Sequence, residues 1–107
     1  MADWSDVVRL ASRLEGVEEG TSYRTPALRF RKTLICRLKE DGESLMVKVV
    51  DLEDKAALLR EHPDVLFTTA HYDRHASVLV RLPVVGEPLL SELIEDAWTL
   101  ARPGSAR

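Results

Sequence analysis

The sequence predicts an α+β domain with two layers, in which an antiparallel five-stranded sheet carries its helices on one face. Apolar and polar residues alternate in five segments, as expected for strands with one buried face. Three other segments have apolar residues at helical spacing, and the resulting order is α-β-β-β-α-β-β-α. The chain has 107 residues, of which 45% are hydrophobic, which suffices for one core. Residues 1–102 are therefore predicted to form a single domain.

The first predicted element is an amphipathic helix. Asp3 is a preferred residue type for capping its first turn, and Gly16 is a preferred type for ending it. Its predicted inner face consists of Trp4, Val7, Val8, Ala11 and Leu14.

Three strands are predicted next, at residues 28–31, 34–39 and 45–50. Asp41-Gly42 predicts a hairpin turn of type I′ between the second and third strands, because such a turn requires positive φ at both central residues. The side chains predicted to face the helices are Leu28, Phe30, Leu34, Cys36, Leu38, Leu45, Val47 and Val49.

A short second helix is predicted after Asp51, which is placed to cap it. The helix must end near His62, because Pro63 disfavours helical geometry in the residue before it. Two further strands, at residues 65–69 and 78–82, enclose a polar loop at residues 70–77. The predicted inner stripe of the helix consists of Leu52, Ala56 and Leu59.

The last predicted element is a third helix, for which Pro88 suits the first helical position after Glu87. Residues 103–107 are predicted to be a disordered tail. The broad apolar face of the helix consists of Leu90, Leu93, Ile94, Ala97, Leu100 and Ala101.

Composition narrows the class of protein. Cys36 is the only cysteine, so no internal disulfide can form, and neither a signal peptide nor a long apolar run occurs. We therefore expect a cytoplasmic protein that is not inserted in a membrane. The net charge of −3 and the isoelectric point near 5.6 argue against binding nucleic acid through overall charge.

Basic residues are concentrated in the predicted strands. Residues 21–50 carry seven basic and three acidic side chains, a net charge of +4. If the apolar phase of each strand faces the helices, the basic side chains share the opposite face. This face is a candidate surface for nucleic acid or another anion, and the alternative is a solvated face balanced by carboxylates such as Glu40 and Glu43. The basic residues of the face are Arg29, Arg31, Arg37, Lys39, Lys48 and Arg81.

Two stretches carry a family resemblance. Residues 16–38 read Gly-Val-Glu-Glu-Gly-Thr-Ser-Tyr-Arg-Thr-Pro-Ala-Leu-Arg-Phe-Arg-Lys-Thr-Leu-Ile-Cys-Arg-Leu, and His71-Tyr72 precedes Val-Leu-Val-Arg-Leu at residues 78–82. Together with the order of elements, these stretches resemble the MmcQ/YjbR family of small bacterial proteins. The resemblance implies a two-layer fold similar to those of secretion chaperones and frataxin-like proteins. Members of the family are described as DNA-binding proteins, so the resemblance also implies DNA binding.

The same resemblance draws attention to Tyr23, His71 and Tyr72, which match recognisable family motifs. We advance the hypothesis of a pocket between the Tyr23 segment and the His71 loop, with a purely structural bend and loop as the alternative. The run His75-Ala76-Ser77 departs from the family pattern, which is often rich in aromatic residues there. Arg24 and Lys32 also stand where small, glycine-like residues are common in the family.

No motif in the sequence identifies a catalytic centre, such as a Gly-rich phosphate loop or a nucleophile elbow. Cys36 lies on the apolar phase of its strand and is expected to be a buried, inert thiol. His71 and His75 are four residues apart, but they lie in a predicted loop with no third ligand. We therefore expect His71 to fix the loop by hydrogen bonding rather than to bind a metal. The ring of Tyr72 is expected to be buried at the sheet edge with its hydroxyl in water.

The sequence thus favours a protein that is not an enzyme and has no metal or cofactor. Two functions remain open. The first is weak, non-specific binding of nucleic acid on the basic face. The second is a protein-interaction or adaptor domain with no role in nucleic-acid binding.

Overall fold

The computed structural model describes residues 2–102, and the predicted tail at residues 103–107 lies outside the described residues. Within residues 2–102 the strands form one sheet in the spatial order β1-β2-β3-β4-β6-β5, and every neighbouring pair is antiparallel. The predicted α+β class is therefore confirmed. The elements are α1 (Trp4–Ala11), β1 (Val17–Ser22), β2 (Thr25–Phe30), β3 (Thr33–Leu38), β4 (Ser44–Lys48), α2 (Leu52–Glu61), β5 (Leu66–Phe67), β6 (Ser77–Arg81) and α3 (Glu87–Ala101).

The predicted number of strands was wrong, because the sheet has six strands over residues 2–102 rather than five. The additional strand is β1, which lies at the sheet edge and pairs with β2 from Val17 opposite Phe30 to Ser22 opposite Thr25. Its four central residues are exposed. The segment therefore lacks the alternation of apolar and polar residues that identifies a half-buried strand.

All three helices pack on one face of the sheet and contribute to one hydrophobic core. α2 contributes the least, since its Leu58 and Leu59 are only partly buried at the margin of this core. The buried helical residues are Val7, Leu10, Ala11, Leu90, Leu93, Ile94 and Ala97, and the strands supply Leu28, Ile35, Cys36, Leu45, Val47, Leu66, Val78 and Val80.

A β-bulge changes the face on which side chains of β3 lie. Leu28 of β2 pairs with Cys36 of β3. The next residue, Arg29, pairs with Leu34, so Ile35 has no partner in the ladder. Ile35 and Cys36 both enter the core, whereas Leu34 lines the opposite, open face of the sheet. The predicted inward position of Leu34 was wrong, because one extra residue in a strand reverses the alternation on one side of the bulge.

α2 presents a different inner stripe from the predicted one. Leu52 is 50% exposed, and Ala56 is also exposed. The residue that α2 buries is Lys55, with Leu58 and Leu59 beside it. The predicted inner stripe was wrong, because the periodicity of apolar residues does not indicate that a lysine is buried.

The helix starts follow the capping residues of the sequence, but α1 ends at Ala11 with Ser12 as its C-cap rather than at the predicted Gly16. Asp3 caps α1 in a capping box with Asp6, and Asp51 caps α2 by accepting a hydrogen bond from a backbone N–H of its first turn. Both carboxylates satisfy N–H groups that have no partner within the helix. α3 begins after Gly86 and has Pro88 in its first turn. Within residues 2–102, none of the helices could serve as a membrane span.

The predicted hairpin between β3 and β4 forms, but its turn is not of type I′. Within the loop at residues 39–43 only Gly42 has a positive φ, 73°, and its N–H donates to the Lys39 carbonyl oxygen at 3.0 Å. Asp41 Oδ1 accepts hydrogen bonds from the N–H groups of Glu43 and Ser44, both at 2.8 Å. Asp41 therefore shapes the loop through its side chain rather than through a positive φ.

Candidate anion-binding site

Arg37 lies near the centre of the open face of the sheet, opposite the helices. Register pairing places it in one row with four neighbours, one from each of four other strands: Gly20, Ala27, Met46 and Leu79. Arg37 is only 5% exposed. Because removing a charge from water costs free energy, a buried guanidinium requires polar partners.

Those partners come from three separate segments of the chain. Arg37 Nη1 donates to Thr25 Oγ1 at 2.9 Å and lies 3.5 Å from Glu40 Oε2. Arg37 Nη2 lies 3.5 Å from the Tyr72 hydroxyl oxygen. The ring centroid of Tyr23 is 5.0 Å from the guanidinium carbon, within the range of a cation–π contact. Arg37 thus connects β2, the β3–β4 loop and the loop that precedes β6.

Tyr72 is held between two cations. Lys39 Nζ donates to the Tyr72 hydroxyl oxygen at 2.9 Å and lies 4.7 Å from the centroid of the same ring. Burial raises the pKa of Tyr72, but the hydrogen bonds and charges of Lys39 and Arg37 together lower that pKa below its usual value. The hydroxyl is therefore bonded to charged groups, which the sequence did not indicate.

The loop at residues 68–76, which carries Tyr72, is fixed by Lys55 of α2. Lys55 is 3% exposed, and its Nζ donates to the backbone carbonyl oxygens of Tyr72 and, at 3.0 Å, of His75. Burial lowers the pKa of Lys55. Sequence reasoning missed this residue, because one lysine in a short helix gives no signal of burial.

A strained turn presents Tyr23 to the site. Tyr23 and Arg24 form the two-residue turn between β1 and β2, and their φ values are 52° and 71°. Positive φ costs free energy for residues other than glycine, but a two-residue hairpin turn of type I′ requires it at both central residues. The turn leaves Tyr23 80% exposed.

Tyr23, Arg37, Lys39 and Tyr72 line a cavity of about 440 Å³ between the Tyr23 turn and the loop at residues 68–76. The cavity lies where the sequence suggested a pocket. Its charged lining residues are three cations, Arg37, Lys39 and Lys48, and one carboxylate, Glu40. The excess of positive charge favours an anionic ligand. The remaining lining residues are Tyr23, Leu34, Met46, His71, Tyr72 and His75.

The other three cations of the predicted basic face lie outside the lining of this cavity. Arg29 faces β1, where its Nη1 donates to the Thr21 carbonyl oxygen at 2.8 Å. Arg31 lies in the β2–β3 turn with φ of 57°, and its guanidinium is 5.3 Å from the ring centroid of the preceding phenylalanine. Arg81 stacks on the ring of Phe67, 4.2 Å from its centroid. The six predicted cations are thus divided between the cavity and its surroundings.

The two histidines of the loop contact each other rather than pinning the loop. The rings of His71 and His75 are stacked with centroids 5.6 Å apart, and both side chains are exposed. Among residues 2–102, no group of three or more His, Cys, Asp or Glu side chains is arranged to hold a metal ion. Cys36 is fully buried in the core, and burial raises its pKa to about 12, so the reactive thiolate is disfavoured.

Known proteins resemble this chain over nearly its whole length. The family model YjbR matches residues 12–100. Two mycobacterial proteins are each 31% identical to this chain over 117 aligned positions, gaps included: "Uncharacterized protein Rv2570" of Mycobacterium tuberculosis and "Uncharacterized protein Mb2600" of Mycobacterium bovis. The match covers 96% of this chain and 91% of each relative. The crystal structure of Deinococcus radiodurans protein DR2400, with a DUF419 domain, shares the fold at a TM-score of 0.77 and 22% identity, over 97% of this chain and 81% of that one. The chain belongs to the YjbR family.

Proposed function

We propose that the protein binds single-stranded nucleic acid at the cavity on the open face of the sheet, as a binding protein and not as an enzyme. The observation that carries this proposal is the convergence of Arg37, Lys39 and Lys48 with the exposed ring of Tyr23 around one cavity. Cationic groups that follow a phosphate backbone, combined with aromatic rings on which bases stack, are the usual means of binding single strands.

The shape of the cavity favours a single strand over a duplex. It is an open, concave space of about 440 Å³ bordered by a turn and a loop. A base must leave its stack and its pairing partner before it can stack on Tyr23, and only an unpaired strand offers such bases without a cost in free energy. Duplex DNA is therefore the weaker ligand of this site.

Binding is expected to be weak and independent of sequence. The net charge of the whole chain is −3, so overall charge does not attract a polyanion to the protein. Stacking on an aromatic ring and contact with phosphate discriminate little between bases. The affinity therefore depends on a few charge contacts.

The first test is a titration of the protein with a fluorescent single-stranded oligonucleotide and with the matching duplex. If three cations each contact a phosphate, raising the salt from about 50 to about 200 mM should weaken binding of the single strand about twentyfold. The duplex should bind less tightly at both salt concentrations. Fluorescence anisotropy measures both affinities.

A matched pair of variants separates the cavity from the net charge. Lys48→Gln and Lys32→Gln each remove one positive charge from an exposed side chain, but Lys48 lines the cavity and Lys32 lies in the β2–β3 turn. We expect Lys48→Gln to weaken binding and to reduce the salt dependence, with little change for Lys32→Gln. Equal losses in the two variants would mean that the strand binds elsewhere or through overall charge.

A groove between α2 and α3 favours a second candidate function, that of a protein-interaction or adaptor domain. Its lining includes Val50, Leu58, the carboxylates Asp54 and Asp96 and one cation, Lys48. Val50 and the nearby Leu52 are 59% and 50% exposed. Exposed apolar residues next to carboxylates suit a partner with apolar and basic side chains. The absence of oligonucleotide binding at the lower salt concentration would favour this function over the first.

A further inference from the structure

We propose that the cavity recognises a terminal phosphate monoester of a nucleotide, carried either by a mononucleotide or by the phosphorylated end of a single strand. Recognition of a phosphorylated strand end rests on the proposed function, because it specifies which part of the single strand the cavity binds. The mononucleotide form requires only the cavity.

Two cationic side chains meet at the Tyr72 hydroxyl group, beside the cavity. The Tyr72 hydroxyl oxygen accepts from Lys39 Nζ at 2.9 Å and lies 3.5 Å from Arg37 Nη2. A phenol whose oxygen accepts from cations retains its own hydrogen for donation. The hydroxyl group, the ammonium and the guanidinium therefore form one cluster of donors beside the cavity.

The charge and number of these donors suit a terminal phosphate better than an internal one. A phosphate monoester carries nearly two negative charges at neutral pH and three oxygens that accept hydrogen bonds. An internal diester has one charge and fewer free oxygens. Charge-assisted hydrogen bonds are about twice as strong as neutral ones, so the additional charge and oxygen of the monoester increase its affinity for this cluster.

The rings around the cavity suit the base of the same nucleotide. One side of Tyr23 faces the Arg37 guanidinium, and the side chain is 80% exposed, which leaves ring surface for stacking. The imidazoles of His71 and His75 line the cavity as well. A volume of about 440 Å³ is sufficient for one nucleotide.

The preorganised Tyr72 supports recognition of an anion. Its backbone oxygen is held by Lys55 and its hydroxyl by Lys39, so little conformational entropy is lost when a ligand binds. A bound phosphate would add negative charge beside the phenol and thereby raise the pKa of Tyr72.

The test compares a short oligothymidylate with a 5′-phosphate, a 3′-phosphate or no terminal phosphate, and adds 5′-AMP and adenosine as separate ligands. We expect at least one phosphorylated end to bind about tenfold more tightly than the unphosphorylated strand. 5′-AMP should compete with the strand, and adenosine should not. Lys39→Gln and Tyr72→Phe should abolish the preference for phosphate, whereas Arg29→Gln, which alters a cation outside the cavity, should retain it.

The outcomes separate this inference from the proposed function. If all three strands bind equally and 5′-AMP does not compete, the inference is overturned and strand binding stands. If 5′-AMP binds and no strand does, the phosphate site stands and strand binding is overturned. If neither binds, both are overturned.

A second measurement does not depend on competition. The chain has two tyrosines, so in a Tyr23→Phe variant the near-ultraviolet absorbance of tyrosinate reports Tyr72 alone. Saturating 5′-AMP should shift the titration of this tyrosine to higher pH, and adenosine should not. An unchanged titration with 5′-AMP bound would place the phosphate elsewhere and overturn the inference. The charged and titratable groups that line the cavity with Tyr72 are Arg37, Lys39, Glu40, Lys48, His71 and His75.

Discussion

Arg37 and Lys55 are the charged residues that the fold buries within residues 2–102. Both are directed at Tyr72, because Arg37 Nη2 lies 3.5 Å from its hydroxyl oxygen while Lys55 Nζ donates to its carbonyl oxygen. The side chain of Tyr72 is thus positioned from the sheet, and its backbone is positioned from the helical layer. Holding a side chain from two directions is a means of preorganising a binding site.

The first prediction at this scale concerns Lys55. Lys55→Met keeps the aliphatic stem but leaves the carbonyl oxygens of Tyr72 and His75 without their donor, which should cost about 1–3 kcal/mol of unfolding free energy. His71→Ala changes an exposed side chain and should cost less than about 0.5 kcal/mol. Chemical denaturation measures both values.

The amides of the loop at residues 68–76 should also exchange hydrogen faster in Lys55→Met, since the loop loses its attachment to α2. A larger loss of stability in His71→Ala than in Lys55→Met would contradict the account and restore the pinning role to His71.

At the scale of elements, β1 and its two ends determine the shape of one side of the site. The strand is paired with β2 along its whole length and ends in the strained turn that carries Tyr23. At its other end, Gly16 has φ of 80°, and a Cβ there would lie 2.5 Å from Cε1 of Phe30. The approach of Gly16 to Phe30 therefore sets where β1 begins.

Alanine at two glycines tests this approach. Gly16 and Gly42 both have positive φ, 80° and 73°, but a Cβ at Gly42 would meet nothing within 4 Å. Gly42→Ala should cost about 1–2 kcal/mol of stability through backbone strain alone, and Gly16→Ala should cost about 1–3 kcal/mol more because Phe30 must move. Thermal or chemical unfolding of the two variants gives the difference in their stability. Equal losses of stability would show that the Phe30 side chain moves aside without a cost in free energy.

Most elements were predictable from the sequence because their residues alternate or recur with the period of a half-buried strand or helix. The helix starts at Asp3 and Asp51 were predictable from capping chemistry. β1 was not predictable, because its central residues are exposed on both faces. The bulge at Ile35 was not predictable either, since Leu34, Ile35 and Cys36 are all apolar or small, and alternation alone does not reveal an inserted residue.

At the scale of the whole molecule, the net charge of −3 is distributed unequally between the two faces of the protein. Carboxylates cluster on the helical layer, where burial and then the charges of Glu92, Glu95 and Asp54 raise the pKa of Asp96. The cations Arg37, Lys39 and Lys48 line the cavity on the opposite face of the sheet. An acidic protein therefore has a locally positive cavity on the sheet face.

Several residues of the site were predictable from the sequence, but their arrangement around one cavity was not. The alternation of strand residues indicated Arg37, Lys39 and Lys48, and the motif residues Tyr23, His71 and Tyr72 were also singled out. Their convergence depends on the path of the loop at residues 68–76, which is fixed by a lysine from α2. Contacts between segments far apart in the sequence leave no pattern in either segment.

The most direct test of the central claim, that the ligand binds the open face of the sheet, is a map of backbone amide chemical shifts during titration with single-stranded oligothymidylate at about 50 mM salt. The account predicts that the largest changes occur at the Tyr23 turn, in β3, in the β3–β4 loop and at residues 68–76, with little change in α1 and α3. Changes centred on α1 and α3, or no changes at all, would contradict it.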